Sequence, residues 1–332
     1  GSAGLDGAAV VSVDGLQVAV LPGTAVRLEE LPPRSIALDG VVQGPALDPE
    51  SRRFSFDHHG GCVRLATSAT CRQVADALLL GLDPSDCTVF VNDLDGDTVL
   101  AVALLTHPEW LSPGGKTMPL VRRLVEAVGA RDAHGSAYPV LEPDLLALFA
   151  NRVPLPFREI PPSSVPAELA RCVQAVVALV GELSRQAEDG TDAGERDFPP
   201  AGRARTVGYT VTHVGTGWVM ATSDDNALDQ LYADGHLRAV MWRAQPDGST
   251  AYTVARKSDL VSGFPVGPAT RQGTILAALA AREPGWGGGT SIGGSAGRRS
   301  SLPPDEVFAL VEQVVEAHLR AGLSAPSRSA PC

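Results

Sequence analysis

The sequence has little positive charge and few aromatic residues. It carries 27 Lys and Arg against 38 Asp and Glu in 332 residues, a formal net charge of −11, and aromatic residues make up 5%. Proteins that bind long nucleic acids neutralise many backbone phosphates with basic side chains and stack bases on aromatic rings. The shortage of both disfavours a polymer-binding face, so we expect no long nucleic acid among the partners.

Cysteines are few and scattered, and long hydrophobic runs are missing. The five cysteines form no CxxC pair and have no zinc-site spacing, which disfavours a disulfide framework and favours a reducing compartment. No apolar run approaches the roughly 20 residues of a membrane helix, and the first residues lack the basic start of a secretory signal. These absences predict a cytoplasmic protein with no membrane partner, and they leave a homodimer open.

The sequence does contain an alternation of short apolar strands and amphipathic helices, which is typical of an α/β fold. We expect a parallel-rich α/β domain over residues 1–160. A long amphipathic helix followed by a polar stretch predicts a connection over 161–200. Mixed strand and helix patterns then predict a second, smaller α+β domain over 201–325.

Acidic residues and histidines follow several of the predicted strands. Asp57 and two histidines come directly after the run RFSF, and three aspartates at alternate positions follow CTVFV. Alternate side chains of an extended chain point the same way, so these carboxylates repel one another unless a cation or solvent screens them. The carboxyl ends of strands converge at one edge of an α/β sheet. The candidate metal ligands are therefore Asp39, Asp57, His58, Asp93, Asp95, Asp97, Asp132 and His134.

A centre of two divalent ions is the economical interpretation of so many candidates. Mixed histidine and carboxylate ligands suit manganese, iron, cobalt or zinc, and carboxylate-rich sites also take magnesium. Paired ions clamp phosphoryl oxygens and activate water. A calcium-binding EF-hand is excluded, because positions six and twelve counted from Asp93 are Thr98 and Leu104 instead of Gly and Glu. The alternatives are a solvated turn for the aspartates of NDLDGD, turn positions for Asp39 and Asp132, and a buried structural role for Asp57.

The second domain contains a glycine-rich segment, GWGGGTSIGGSAGRRSS, ahead of its final helix pattern. Glycines let backbone N–H groups approach an anion, and a helix N-terminus favours one. The segment lacks the GK[ST] ending of a P-loop, and a flexible loop with a basic tip is the alternative. Lys257, next to Arg256, offers a further anion contact. The candidate anion-binding residues are Gly288, Gly289, Thr290, Arg256, Arg298, Arg299 and Ser300.

In these motifs the sequence resembles the DHH phosphoesterase superfamily. FDHHGG matches the motif that names the family, TSATCRQVADALL resembles the helix that follows it, and NDLDGDTVLAVAL resembles its aspartate motif. The glycine-rich segment and STAYTVARKSDLVSGFPV resemble the DHH-associated substrate-binding domain. Here DHH precedes the aspartates, the reverse of the usual order, so the chain resembles a permuted or divergent member.

The resemblance implies a three-layer catalytic domain, with the metals on one wall of an interdomain cleft and the glycine-rich loop on the other. It implies that two ions, with manganese expected, are held by Asp57, His58 and the aspartate motif, and that His59 contacts the phosphate. The implied activity is hydrolysis of a phosphate ester or phosphodiester by metal-activated water, with these catalytic residues: Asp57, His58, His59 and Asp95.

The basic residues predict a small substrate. The clearest basic cluster is confined to Arg298, Arg299 and a few neighbours, which suits a nucleotide-like ligand better than a long strand. Two alternatives stay open: a module that binds a nucleotide without cleaving it, and a phosphonate or pyrophosphate hydrolase of a biosynthetic pathway.

Overall fold

The structure, a computed structural model, describes residues 8–156, 160–188 and 206–324. The chain divides into two compact units, one ending at Ala204 and the other beginning at Arg205. Each unit contains a six-stranded mixed sheet with helices packed against it, which confirms the predicted α/β class.

The first unit is built on a sheet with the strand order β1-β2-β6-β3-β5-β4. The neighbouring strands β2, β6, β3 and β5 run parallel, and the edge strands β1 and β4 are antiparallel to their partners. The strands are β1 (Ala9–Val13), β2 (Leu16–Val20), β3 (Ser35–Leu38), β4 (Ala46–Asp48), β5 (Arg53–Phe56) and β6 (Thr88–Val91). The helices are α1 (Thr70–Leu79), α2 (Gly96–Thr106), α3 (Met118–His134), α4 (Pro143–Arg152) and α5 (Val165–Glu188).

Strand residues alternate between two cores on opposite faces of this sheet, as the period of an extended chain requires. Ile36 and Leu38 of β3 pack with the helices, whereas Ala37 packs with Phe90 in a smaller core on the other face. Among the described residues, helices α1–α5 contribute nothing to that smaller core, which the chain around Leu28–Leu31 covers. This layering, with helices on one face, does not confirm the three layers that the resemblance implies.

Helix α2 is buried along most of its length. All residues from Val99 to Leu104 are fully buried, because the helix packs against α1, α3 and α5. Its sequence, GDTVLAVALLT, has no charged residue after Asp97 and is therefore suited to a core position. The polar N-terminus of α2 is thereby placed at the edge of the sheet where β6 ends.

Helix α5, predicted as a connection between domains, packs in the core of the first unit instead. Leu169, Cys172 and Val176 are fully buried there. Contrary to the sequence-based expectation, the segment Pro162–Gln186 is long and apolar enough to cross a membrane by length and composition. A core helix passes the same test, so this is weak evidence for a membrane span.

The second unit has the strand order β11-β12-β10-β9-β8-β7, in which β8 and β9 are parallel and the other pairs antiparallel. Helices α7 and α8 pack on one face of the sheet, and α6 packs on the other. The strands are β7 (Thr210–Gly215), β8 (Trp218–Thr222), β9 (Arg238–Ala244), β10 (Thr250–Arg256), β11 (Gly287–Gly288) and β12 (Ile292–Gly294). The helices are α6 (Leu228–Ala233), α7 (Ile275–Arg282) and α8 (Pro304–Ser324).

Candidate functional site

Three parallel strands of the first unit end at one edge of its sheet. Strand β3 pairs with β5 on one side and with β6 on the other, so their carboxyl ends lie together. Asp39 follows β3, the Asp57–His59 motif follows β5, and the aspartate motif follows β6 and enters helix α2. Asp39 has a φ of 49°, a left-handed conformation that Asp adopts more readily than most residues.

The His58 ring lies at the centre of this edge and is fully buried. Its Nε2 is 2.8 Å from Asp132 Oδ2, 3.5 Å from Asp97 Oδ2 and 3.6 Å from Asp39 Oδ1. None of these contacts has the direction of a hydrogen bond, and within the described part of the chain neither His58 ring nitrogen has a hydrogen-bond partner. A buried imidazole that lies among carboxylates and makes no hydrogen bond is typical of a histidine that binds a metal ion.

Two overlapping groups of side chains could each hold a metal ion. One contains Asp39, His58 and His59, and the other contains His58, Asp97 and Asp132. Within each group the possible ligand atoms lie within 4.8 Å of one another. Ligands about 2.0–2.2 Å from a shared ion are typically separated by such distances.

Threonine hydroxyls hold both oxygens of the Asp39 carboxylate. Thr70 Oγ1 lies 3.1 Å from Asp39 Oδ1, and Thr98 Oγ1 lies 3.1 Å from Asp39 Oδ2. Both threonines are fully buried and lie at or near the N-terminus of a helix. Sequence reasoning gave neither residue a role in the site, although each occupies the first turn of a predicted helix.

The N-terminus of α1 holds Asp97 in the same way. The backbone N–H of Thr70 donates to Asp97 Oδ2 at 2.8 Å, and that of Cys71 donates to Oδ1 at 2.7 Å. These are the free donors of the first helical turn, where the helix dipole favours a negative charge. The carboxylate therefore joins α1 to α2 and is fixed in orientation.

Burial raises the pKa of three carboxyl groups near His58. It is the largest cause that raises the pKa of Asp39 to about 8, and the charges of Asp95 and Asp97 raise it further. Burial, followed by the charge of Asp132, raises the pKa of Asp97 to about 6. Burial also raises the pKa of Asp95. A bound cation would remove this cost by stabilising the ionised forms.

Asp57 orients His59 and lies outside both groups. It accepts hydrogen bonds from the Gly44 N–H at 2.7 Å, from the His59 N–H at 3.0 Å and from His59 Nδ1 at 2.8 Å. Burial raises the pKa of Asp57, but the hydrogen bonds from His59 and Gly44 lower it by more. The hydrogen bond to Asp57 is in turn the main cause that raises the pKa of His59 to about 9.

Other predicted ligands are not brought into the two groups. Asp93 is exposed, and Asp95 caps α2 by accepting a hydrogen bond from the Thr98 N–H at 2.8 Å. His134 is exposed and packs against Tyr138, with ring centroids 4.5 Å apart.

Asp132 reaches the cluster from a helix, and its predicted position at a strand end is wrong. Helix α3 continues through Gly129 to His134. Gly129 lies against α1, where an added Cβ would be 3.4 Å from Ala69 Cβ and from Cys71 Sγ. The glycine thus permits close helix packing and does not end the helix, which stops at Gly135 with a φ of 83°.

The glycine-rich segment of the second unit forms a hairpin of β11 and β12. Gly288 pairs with Gly293, and the turn between them contains Gly289 and Thr290. The glycines are needed for packing, because a Cβ on Gly293 would lie 2.4 Å from Leu276 Cδ1, and one on Gly294 would lie 2.4 Å from the Tyr252 carbonyl oxygen.

Several predicted anion-binding side chains of this unit have internal partners. Arg256 donates to the carbonyl oxygens of Thr290 and Val261 and to Asp259. Ser300 is buried and donates to Glu283. Arg298 and Arg299 are exposed, with Arg299 3.2 Å from Asp247, and Lys257 is exposed as well. The segment is thus a packed sheet edge with an exposed basic tip.

Compared with known proteins, the chain matches no family model and no curated protein. The cluster around His58 is therefore the feature of the chain that indicates a function.

Proposed function

We propose that the chain is a metal-dependent phosphohydrolase that cleaves a phosphate ester or phosphodiester of a small, nucleotide-like substrate. The observation that carries the proposal is His58, a fully buried imidazole whose Nε2 faces three carboxylates without a hydrogen bond. An imidazole nitrogen that binds a metal presents its lone pair to the ion and donates no hydrogen bond.

The residues around His58 fit a divalent ion chemically. Asp39, Asp97 and Asp132 offer oxygen ligands and His58 offers nitrogen, and this mixture suits manganese and related ions. Divalent ions in such a site supply charge stabilisation for phosphoryl transfer and acidify water. Two ions, with His58 bound to one of them, and a DHH-type arrangement are part of the proposal.

The chain's own residues have distinct tasks in this proposal. Thr70 and Thr98 orient Asp39, and the first turn of α1 orients Asp97. Asp57 holds His59 in one orientation and stabilises its protonated form. His59, whose side chain is 44% exposed, can then donate a hydrogen bond to a phosphoryl oxygen of the substrate.

The test compares two aspartates that differ only in their place in the structure. Asp132→Asn changes a residue of the second group that caps no helix, whereas Asp93→Asn changes an exposed neighbour of the centre. We expect Asp132→Asn to weaken Mn²⁺ binding at least about tenfold and to abolish most hydrolysis of bis-p-nitrophenyl phosphate. Asp93→Asn should stay within about twofold of wild type in both.

Calorimetric titration with Mn²⁺ and steady-state hydrolysis give the two readings. A wild-type protein that binds no divalent ion would contradict the proposal. Tight Mn²⁺ binding without hydrolysis of any phosphate ester would favour the alternative of a non-catalytic nucleotide-binding module.

A further inference from the structure

Two side chains of the cluster around His58 are partly exposed to solvent, whereas the others are buried. The side chains of His58 and Asp97 are 0% exposed and that of Asp39 is 3% exposed, whereas His59 and Asp132 are 44% and 29% exposed. A ligand therefore reaches the buried floor by passing His59 and Asp132. We call the exposed surface of His59 and Asp132 the mouth of the site.

Arg64 projects from a turn at this mouth. Its Nη1 lies 3.5 Å from the backbone carbonyl oxygen of Asp132, a residue of the second metal group. The Arg64 side chain is exposed. The carbonyl oxygen that it contacts is neutral and does not balance the charge of the guanidinium. Arg64 adds positive charge next to several buried carboxylates.

The segment that carries Arg64 is held at both ends. Gln43 donates to the Gly60 carbonyl oxygen at 2.7 Å. Gln73 donates to the carbonyl oxygens of Asp57 at 3.0 Å and Ser68 at 2.7 Å. Within the segment, the N–H groups of residues 66 and 67 donate to the Val63 carbonyl oxygen. Arg64 is thus presented from a fixed turn, which lowers the entropy cost of using it to bind a ligand.

We infer that Arg64 anchors the phosphate group of the substrate at the mouth of the site. This inference rests on the proposed function, since it names a specificity residue for that reaction. The planar guanidinium donates two parallel hydrogen bonds to phosphate oxygens, which a carboxylate-rich site otherwise repels. Arg64 and His59 together hold the anion from the solvent side, while the buried ligands face it from the floor.

The experiment measures binding of phenylphosphonate, a stable phosphate-ester analogue, to the Mn²⁺-loaded protein by calorimetry. We expect Arg64→Ala to weaken phenylphosphonate binding about 10–100-fold and to leave Mn²⁺ affinity within about threefold of wild type. Arg64→Lys should recover only part of the loss, because lysine cannot form the paired hydrogen bonds. Arg27→Ala is the matched control, since its exposed guanidinium contacts Glu30 and no residue of the cluster.

Each remaining outcome decides against the inference. Wild-type phenylphosphonate affinity in Mn²⁺-loaded Arg64→Ala overturns it and leaves the proposed function standing. Loss of Mn²⁺ binding in Arg64→Ala assigns the residue a structural role through Asp132 and overturns the anchor. A wild-type protein that binds no Mn²⁺ overturns the proposed function and the anchor together, because the uncompensated carboxylates would repel the anion.

Discussion

Two threonine hydroxyls decide how Asp39 faces the site. An isolated buried carboxylate can turn about its side-chain bonds, but Thr70 and Thr98 each hold one of its oxygens. Residues that orient a ligand affect metal affinity without touching the metal. In the proposed metal site the threonines are therefore positioning residues.

Replacing Thr98 by Val removes its hydroxyl while keeping the shape of the side chain. We expect Thr98→Val to weaken Mn²⁺ binding about tenfold, because one Asp39 oxygen loses its donor. Thr98→Ser keeps the hydroxyl and should restore most of the affinity. Calorimetric titration measures both, and circular dichroism checks that each variant is folded. Equal Mn²⁺ affinity in the Val variant and the wild type would show that Thr98 does not position Asp39.

At the scale of single residues, sequence spacing identifies candidate ligands but not which of them are free to bind. Asp39 and Asp97 each have a carboxylate oxygen within 3.6 Å of His58 Nε2, and the pattern places all three after neighbouring parallel strands. Asp57 and Asp95 belong to the same motifs, yet their carboxylates face the Gly44 and Thr98 N–H groups and lie outside both metal groups. Those donors are set by a loop and a helix start, whose geometry the pattern does not contain.

At the scale of helices and strands, prediction from sequence has a second limit, because a glycine-rich composition is compatible with two different structures. Glycines in GWGGGTSIGGSAGRR are compatible with a phosphate-binding loop or with closely packed strands. The hairpin of β11 and β12 uses them for packing, because neighbouring atoms of Leu276 and Tyr252 occupy the places of side chains. Likewise Gly129, which resembles a helix end in the sequence, lies inside α3 against α1. Contacts between distant segments decide both cases.

Substituting two glycines of the hairpin tests whether the glycines serve packing or anion binding. A Cβ on Gly293 would lie 2.4 Å from Leu276 Cδ1 and 2.6 Å from the Gly287 carbonyl oxygen, whereas one on Gly289 meets nothing closer than 4.0 Å. We expect Gly293→Ala to destabilise the second unit by about 1–3 kcal/mol through overpacking, and Gly289→Ala to change stability little.

Thermal or urea unfolding of both variants gives the comparison. A Gly289→Ala variant that has wild-type stability but no longer binds phenylphosphonate would show that the hairpin turn binds the anion. Equal destabilisation by both substitutions would contradict the packing argument.

At the scale of the whole molecule, each unit has its own sheet and its own cores. Independent cores predict two unfolding transitions, since a single cooperative transition requires extensive shared packing. We expect Mn²⁺ to raise the midpoint of one transition only, because the described metal groups belong to the first unit. Differential scanning calorimetry with and without Mn²⁺ measures this.

A variant of the second unit identifies the other transition. Glu283 accepts hydrogen bonds from Ser300, Ser301 and Trp286, which more than offset the effect of burial and lower its pKa to about 2. Glu283→Gln should lower the midpoint of the transition that Mn²⁺ leaves unchanged. One transition that responds to both Mn²⁺ and Glu283→Gln would contradict independent unfolding of the units.

The order of strands also has a consequence for synthesis. Strand β6 lies between β2 and β3 although it comes last of the six in the chain. A growing chain that stops before Thr88 therefore has two unjoined pieces of sheet with open edges, which are prone to pair with other chains. Asp97 and Asp132 come later still, so His58 gains these partners only after the sheet can close. Unfinished chains would thus lack the second metal group. The proposed centre could bind its metal ions only after enough of the chain has been made for the first unit to fold.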